Sequence, residues 1–130
     1  MAAGTAPIFE TVVRVLGIQF TSSDTTTGKS FGTIGSNGTR IDSIMCSTND
    51  TTAVNLAFWI NDGSTDHYIG VVNIPAGSGY TSVIRIEALT VLAPTLSYLV
   101  IPSGYTLKVG CVATMTSAKT TDVVAMGGDY

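Results

Sequence analysis

The stretch YLVIPSGYTLKVGCV, residues 98–112, decides the fold class of this sequence. Two runs rich in β-branched and aromatic residues flank Pro102-Ser103-Gly104, where proline fixes φ and glycine permits a positive φ. From Tyr105 to Cys111 every second residue is apolar. A period of two indicates a strand with one buried face, so the stretch predicts a β-hairpin.

Runs of the same kind recur along the chain between turns rich in glycine, asparagine and aspartate, and no helical period interrupts them. The other predicted strands are residues 7–20, 40–46, 53–60, 68–74, 80–89 and 121–126. Regular short strands predict an all-β fold, an antiparallel β-sandwich of eight to nine strands that is jelly-roll-like. An immunoglobulin-like sandwich is the alternative, and it fits less well because Trp59 faces away from the predicted core.

A chain of 130 residues predicts one domain that buries roughly two-thirds of its unfolded surface. Residues 1–7 are small and predict a flexible N-terminal arm, which we expect to become ordered against a partner. Residues 8–130 then form a single β-sandwich domain. The polar residues 21–38 surround a short segment at residues 31–34 and are assigned to no long strand.

Charge excludes some classes of partner. Charged residues make up 12% of the chain, the formal net charge is −3, and the six basic residues are scattered. Nucleic-acid binding needs clustered lysine and arginine, so we expect no nucleic-acid partner. No apolar run approaches the roughly 20 residues that cross a bilayer, so we expect no membrane partner. The N-terminus lacks the features of a secretory signal, which predicts synthesis in a cytoplasm.

Cys46 and Cys111 both lie in strand-like runs. They could form a disulfide that joins two strands, or they could be buried free thiols that pack like small apolar residues. Because cytoplasmic thiols stay reduced, synthesis in that compartment favours the free thiols.

No catalytic constellation is visible. The only histidine, His67, lies in one turn with Asp62, Ser64 and Asp66. Crowding in a turn does not make a catalytic triad, and the turn lacks a second histidine for zinc and the spaced oxygen ligands for calcium. We therefore predict a solvated hairpin turn, no cofactor or metal, and a protein that is not an enzyme.

Apolar residues occur on the outward faces of several predicted strands. Trp59 lies opposite the predicted core face of its own strand, and the alternatives to an interface are an inner sheet buried on both faces or a loop folded over Trp59. Further outward positions are apolar, and together with Trp59 they form the set of interface candidates: Ile69, Val71, Val112 and Val124. One domain has little need for such residues, so they predict association with other copies or partners.

The order of several motifs is similar to that of a known group of proteins. The motifs are Pro7-Ile8 before an apolar strand, the strand ending in Trp59-Ile60-Asn61-Asp62-Gly63, the turn within residues 101–107, and the ending at residues 124–130. With them the chain resembles the small β-sandwich virion proteins of tailed bacteriophages, which include head decoration (cement) proteins. The resemblance spans nearly the whole chain.

This resemblance implies a jelly-roll-like homotrimer on the outer surface of the phage head. There it would bridge subunits of the major capsid protein and stabilise the shell, and the polar residues 21–38 would be a loop reaching toward the capsid. The family has no catalytic residues to carry over. A carbohydrate-binding or tail- or fibre-associated β-sandwich module is the alternative. In that case Trp59, Tyr68, Tyr80 and Tyr98 would form a platform on which sugar rings stack.

Overall fold

The computed structural model describes residues 9–130, so the predicted arm at residues 1–7 lies outside the described residues. Within this range a 3₁₀ turn (Ser22–Asp24) follows the first strand, and a short helix, α1 (Ala88–Leu92), follows the sixth. None of the helices in this range is long and apolar enough to cross a membrane. The strands are β1 (Val12–Thr21), β2 (Lys29–Ser30), β3 (Thr39–Thr48), β4 (Val54–Asn61), β5 (Asp66–Ile74), β6 (Ile86–Glu87), β7 (Leu99–Ile101), β8 (Thr106–Cys111) and β9 (Thr120–Asp129).

The strands form two antiparallel sheets. Sheet A has the order β1-β9-β3-β6, with β7 also paired to β3, and sheet B has the order β2-β8-β4-β5. The pairs are nested: β1 lies beside β9, β2 beside β8, β3 beside β6 and β7, and β4 beside β5. Nesting of this kind is the pattern of a jelly roll, in which β6 and β7 together fill one strand position. The predicted all-β antiparallel sandwich is confirmed.

The hydrophobic core lies between the inner faces of the two sheets. Within β4 the buried side chains alternate as predicted for Val54, Leu56 and Phe58, and Ile60 packs against the core from the strand's end. The strands of sheet A supply the opposite wall of the core. The largest fully buried apolar side chains are Phe20, Phe58, Ile41, Ile44, Leu56, Ile74, Ile101 and Leu107.

The hairpin predicted at residues 98–112 is wrong. Both runs are strands, but β7 pairs with β3 in sheet A, whereas β8 pairs with β2 and β4 in sheet B. The turn between them forms as expected, since Gly104 has φ +85° and the Tyr105 N–H donates to the Pro102 carbonyl. Ile101 and Leu107 are both buried, and they face the same core from opposite sheets. The alternation of apolar residues identifies the buried face of a strand, but it does not determine which strand lies beside it.

The strand predicted at residues 80–89 is also wrong, because only Ile86–Glu87 pairs, with β3. The preceding loop is irregular and leaves Ile84 80% exposed. After the strand, one carboxylate oxygen of Glu87 accepts the N–H of Leu89 and also that of Ile44 in β3. Glu87 therefore caps the N-terminus of α1 and fixes the helix to sheet A.

Residues 21–38, interpreted from sequence as a projecting loop, lie against the sandwich. Phe31 and Ile34 are buried in the core, and β2 extends sheet B beside β8. The Phe31 N–H donates to the Leu107 carbonyl at 3.0 Å. The apolar residues within this polar stretch thus anchor it to the sandwich.

The glycines near the end of β9 allow two backbones to approach closely. The pairing of β3 with β9 shifts register between Ile41 and Ser43, which is a β-bulge. At Gly127, opposite this bulge, an added Cβ would lie 1.8 Å from the Arg40 carbonyl oxygen. The strand predicted to end at residue 126 therefore continues to Asp129, where Gly127 leaves room for β3 and Gly128 leaves room for Glu10 and the Val12 carbonyl on the β1 side.

Asp50 connects three loops at one end of the sandwich. Its side chain accepts hydrogen bonds from the backbone N–H and the hydroxyl of both Thr52 and Thr116, and its carbonyl accepts the Gly77 N–H. The residue is only 1% exposed. Burial by itself raises the pKa of this carboxyl, but the hydrogen bonds from Thr116 and Thr52 outweigh it and lower the pKa to about 2.

Both cysteines are free thiols in the core, Cys46 on β3 and Cys111 on β8. The expectation of free thiols is therefore confirmed. Burial raises the pKa of Cys46 to about 12 and that of Cys111 to about 11. The thiolate is the reactive form of cysteine, and both thiols stay protonated, so we expect neither to be reactive in redox chemistry.

We expect neither cysteine to react with a thiol reagent at pH 8 while the protein is folded. Both are inaccessible and protonated, so a colorimetric thiol assay should detect almost none in buffer and both after unfolding in guanidinium chloride. Fast labelling of the folded protein, or two missing thiols in the unfolded protein, would contradict this arrangement.

Candidate interaction surface

The outer face of sheet B carries an apolar strip. Cross-strand pairing places Trp59 of β4 beside Tyr68 of β5 and Ala57 beside Val71. Val112 follows directly after β8 and lies on the same face, two residues beyond Gly110, the partner of Ala57. We call Trp59, Tyr68, Val71 and Val112 the outer strip. Tyr68 is 63% exposed, Val71 and Val112 are about half exposed, and Trp59 is partly covered.

A β-bulge assembles this strip. The pairing of β4 with β5 shifts register between Phe58 and Trp59, so that Gly70 lies opposite Phe58 and Tyr68 opposite Trp59. Ile69 is the extra residue and is 39% exposed. Strict alternation would place Tyr68 and Val71 on opposite faces, whereas the bulge brings them to the same face.

The indole of Trp59 is held in place by three neighbours. A methyl group at Gly110 would lie 3.4 Å from the indole ring, and one at Gly28 would lie 3.8 Å from it. The ring of Tyr68 meets the indole edge to face, with centroids 6.5 Å apart and planes at 61°. The Gly28 segment therefore covers part of Trp59, and the loop predicted as the alternative to an interface is present. The remaining exposed apolar area of the strip belongs mainly to Tyr68, Val71 and Val112.

Polar groups border the outer strip at both ends. Next to Tyr68, the Asp66 carboxylate accepts hydrogen bonds from Asn61 at 2.7 Å and from Lys108 at 3.0 Å. The bond from Asn61 contributes most to lowering the pKa of Asp66, followed by that from Lys108. At the other end the Asn73 amide donates to Asn55. An apolar centre with a hydrogen-bonded polar rim is the usual anatomy of a protein interface.

Val124, the remaining interface candidate, lies on the other sheet. It is half-buried on the outer face of sheet A, where it pairs with Gly17 on one side and Met45 on the other. The same face carries Val13, Val15 and Met126, all exposed. The structure therefore divides the interface candidates between two faces. The sequence placed Tyr68 only in the sugar-stacking hypothesis, and it did not single out the two valines of β1 on the other face.

The turn around His67 has the solvated geometry that the sequence predicts. The imidazole Nε2 lies 2.9 Å from the Asp62 carboxylate at the tip of the β4–β5 hairpin, where His67 is exposed and Asp62 is half-buried. Hydrogen bonds lower the pKa of Asp62, first that from His67 and then those from the N–H groups of Thr65 and Ser64. Within residues 9–130, no three acidic, histidine or cysteine side chains come together as a metal site would require.

The four aromatic residues of the sugar-stacking hypothesis do not form one platform. Trp59 and Tyr68 are in contact, but the Tyr80 hydroxyl lies 3.3 Å from the Asp122 carboxylate on sheet A. Tyr98 stacks under the Arg40 guanidinium, 4.1 Å from its ring centroid, beside β3. Of these four residues, only Trp59 and Tyr68 lie together as stacking on a sugar would require.

Neither a protein-family model nor a curated protein matches this chain.

Proposed function

We propose that this chain is a structural protein of a tailed-bacteriophage virion, a head decoration (cement) protein that binds the outside of the head. In this role it bridges subunits of the major capsid protein, and it acts as a homotrimer without catalytic chemistry. It is made in the host cytoplasm and functions on the virion surface. The observation that carries the proposal is the outer strip on sheet B, an exposed apolar surface with a polar rim.

The physical case rests on surface that a lone sandwich leaves uncovered. Large contiguous apolar patches on a protein surface usually mark interaction sites, and tryptophan and tyrosine are enriched where interfaces derive most of their binding energy. The outer strip combines one of each with two exposed valines. A protein that binds only the assembled shell stabilises it by mass action, and repeated sites on an icosahedral head multiply the effect.

The proposal is tested with heads of the encoding phage assembled without this chain. The purified protein should co-sediment with these heads at a fixed stoichiometry and raise the temperature at which they release DNA. Val71→Asp places a charge in the middle of the outer strip, so we expect at least a tenfold weaker attachment. Ile84→Asp adds the same charge at a more exposed position outside the strip and is the matched control.

Failure of the protein to co-sediment with any head at micromolar concentration would contradict the proposal. Equal binding of the Val71→Asp and wild-type proteins would remove the outer strip from the contact. Light scattering reports the oligomer separately, where a trimer is expected and a strict monomer would contradict that part of the proposal. Circular dichroism confirms that each variant is folded.

The contact between Trp59 and Tyr68 favours a second candidate function, carbohydrate binding by a tail- or fibre-associated module. The exposed Tyr68 ring lies beside the polar side chains of Asp66, Asn61 and Lys108, which is the mixture that sugars require. Binding on a glycan array that disappears with Tyr68→Ala, together with no attachment to heads, would favour this candidate. Attachment to heads without glycan binding favours the decoration protein.

A further inference from the structure

The long edge of sheet A formed by β1 is open. Across residues 9–130, β1 pairs with β9 along its full length and with no strand on its other side. An unpaired edge presents a row of backbone N–H and C=O groups, and proteins usually protect such edges with charges, prolines or covering loops.

Two side-chain contacts identify the outward-pointing backbone groups. The Thr21 N–H donates to the Asp24 carboxylate at 2.8 Å, and the Gln19 carbonyl accepts from the Lys29 ammonium at 2.8 Å. Neither partner belongs to β9, so both groups point to the open edge. Backbone groups of an antiparallel strand alternate between its two sides. The N–H and C=O groups of Val13, Val15 and Gly17 therefore also point to the open edge.

The C-terminal end of this edge is protected and the rest is not. Asp24 and Lys29, which cover Thr21 and Gln19, form an ion pair with each other at 2.9 Å. Toward the N-terminus of β1, the only charged side chain between Val12 and Ile18 is that of Arg14. Its guanidinium turns to Asp129 at 2.8 Å and to the Thr33 carbonyl at 2.7 Å, so it does not cover the edge.

The open segment is also apolar. Val13 is 85% exposed and Val15 is 64% exposed, and both point to the outer face of sheet A, as does Met126 of the neighbouring strand. A hydrophobic, uncharged edge without proline is the kind that pairs with another strand.

We propose that β1 is a docking edge for β1 of a second copy of this chain, paired antiparallel about a two-fold axis at Val15. In that register Val15 lies opposite Val15 of the second copy, and Val13 lies opposite Gly17. Each outward N–H and C=O of these three residues then has a partner, because residues two apart on both strands form the hydrogen-bonded pairs. An edge that is complementary to itself needs no other protein.

The register also suits the side chains. Val13 and Val15 of the two copies would form one apolar cluster on the outer face of the joined sheet, and Gly17 leaves space opposite Val13. The covered segment ends where Lys29 and Asp24 begin to occupy the edge. The proposal does not depend on the virion function. A two-fold contact pairs two chains and differs from the contact within the proposed homotrimer, so in that assembly it would join one trimer to another.

The test is sedimentation velocity of the full chain over a concentration series. Val15→Lys places two like charges opposite each other at the axis, so the dissociation constant for self-association should rise at least tenfold. Val15→Thr keeps the β-branched shape and the backbone and should associate within about threefold of the wild type. Circular dichroism and thermal melts establish that both variants are folded.

Amide hydrogen exchange locates the contact. The amides of Val13, Val15 and Gly17 should gain protection as concentration rises, whereas those of Leu16 and Ile18, which point to β9, should be protected at every dilution. The proposal fails if the chain stays monomeric at all concentrations, or if Val15→Lys associates like the wild type. It also fails if the three outward amides are protected equally at every concentration, since the edge would then be paired within one chain.

These outcomes separate the edge contact from the proposed function. A trimer that binds heads and is unaffected by Val15→Lys would overturn the edge contact and leave the decoration role intact. If Val15→Lys loses self-association and the wild-type protein does not bind heads, the edge contact is supported and the decoration role is overturned.

Discussion

Replacing Gly127 with alanine is expected to lower the free energy of unfolding by about 3 kcal/mol. The new methyl group would lie 1.8 Å from the Arg40 carbonyl oxygen and 2.8 Å from its carbonyl carbon. Both are backbone atoms in the centre of sheet A, so neither can rotate away as a side chain would. The strands β3 and β9 must separate locally, and core residues on both strands lose packing. Urea unfolding at pH 7, followed by circular dichroism, measures the loss.

The matched control for this change is Gly17→Ala, the same substitution in another strand of sheet A. No heavy atom lies within 4 Å of the position that a Cβ at Gly17 would occupy. The stability should therefore change by less than about 1 kcal/mol, because only the entropy of the unfolded chain is altered. Equal losses in the two variants would show that the cost arises from strand glycines in general and not from the close approach at the bulge.

Replacing Asp50 with asparagine is expected to cost about 2–3 kcal/mol at pH 7, because buried donors lose a charged acceptor. The amide nitrogen would face the N–H or hydroxyl groups of Thr52 and Thr116, which need an oxygen. Unfolding in urea at pH 7 measures the loss. Asp42→Asn is the control, since Asp42 pairs with Arg40 on the exposed surface and should contribute less than about 1 kcal/mol.

The contribution of Asp50 should also depend on pH. Its folded-state pKa of about 2 lies below the ordinary value of 3.8, so the carboxylate stabilises the fold fully above the ordinary value. As the pH falls from about 4 toward 2, the unfolded state takes up a proton first and this contribution disappears. The stability difference between wild type and Asp50→Asn should therefore shrink in acid, and a difference that stays constant down to pH 2 would contradict the assignment.

Local features of the sequence predict part of the fold well. The turn at Asn61-Asp62-Gly63 joins β4 to β5 as a hairpin, because its hydrogen bonds and the positive φ of Gly63 depend only on neighbouring residues. The turn at Pro102-Ser103-Gly104 looks similar in sequence but joins two sheets. The difference is set by strands distant in the chain, and no local pattern reports it.

The candidate surface shows the same division. Alternation placed Trp59 opposite the core correctly, since that depends on the two-residue period of one strand. It misplaced Tyr68 relative to Val71, because the bulge at Ile69 exists only in the pairing of β4 with β5. The sequence of one strand predicts which face its side chains point to as far as the first bulge. Beyond the bulge, the face depends on the pairing with the neighbouring strand.

The nested pairing of the strands has a consequence for the order of folding. β9 lies between β1 and β3, so sheet A lacks its central strand until residues 120–129 have emerged from the ribosome. The first strand must wait for the last, and closing a loop of that length costs entropy before contacts repay it. Chains with such distant pairings typically fold in milliseconds to seconds. During synthesis the valines of β1 therefore stay exposed to solvent until β9 is made, and chaperones can bind β1 for longer than they can bind any later strand.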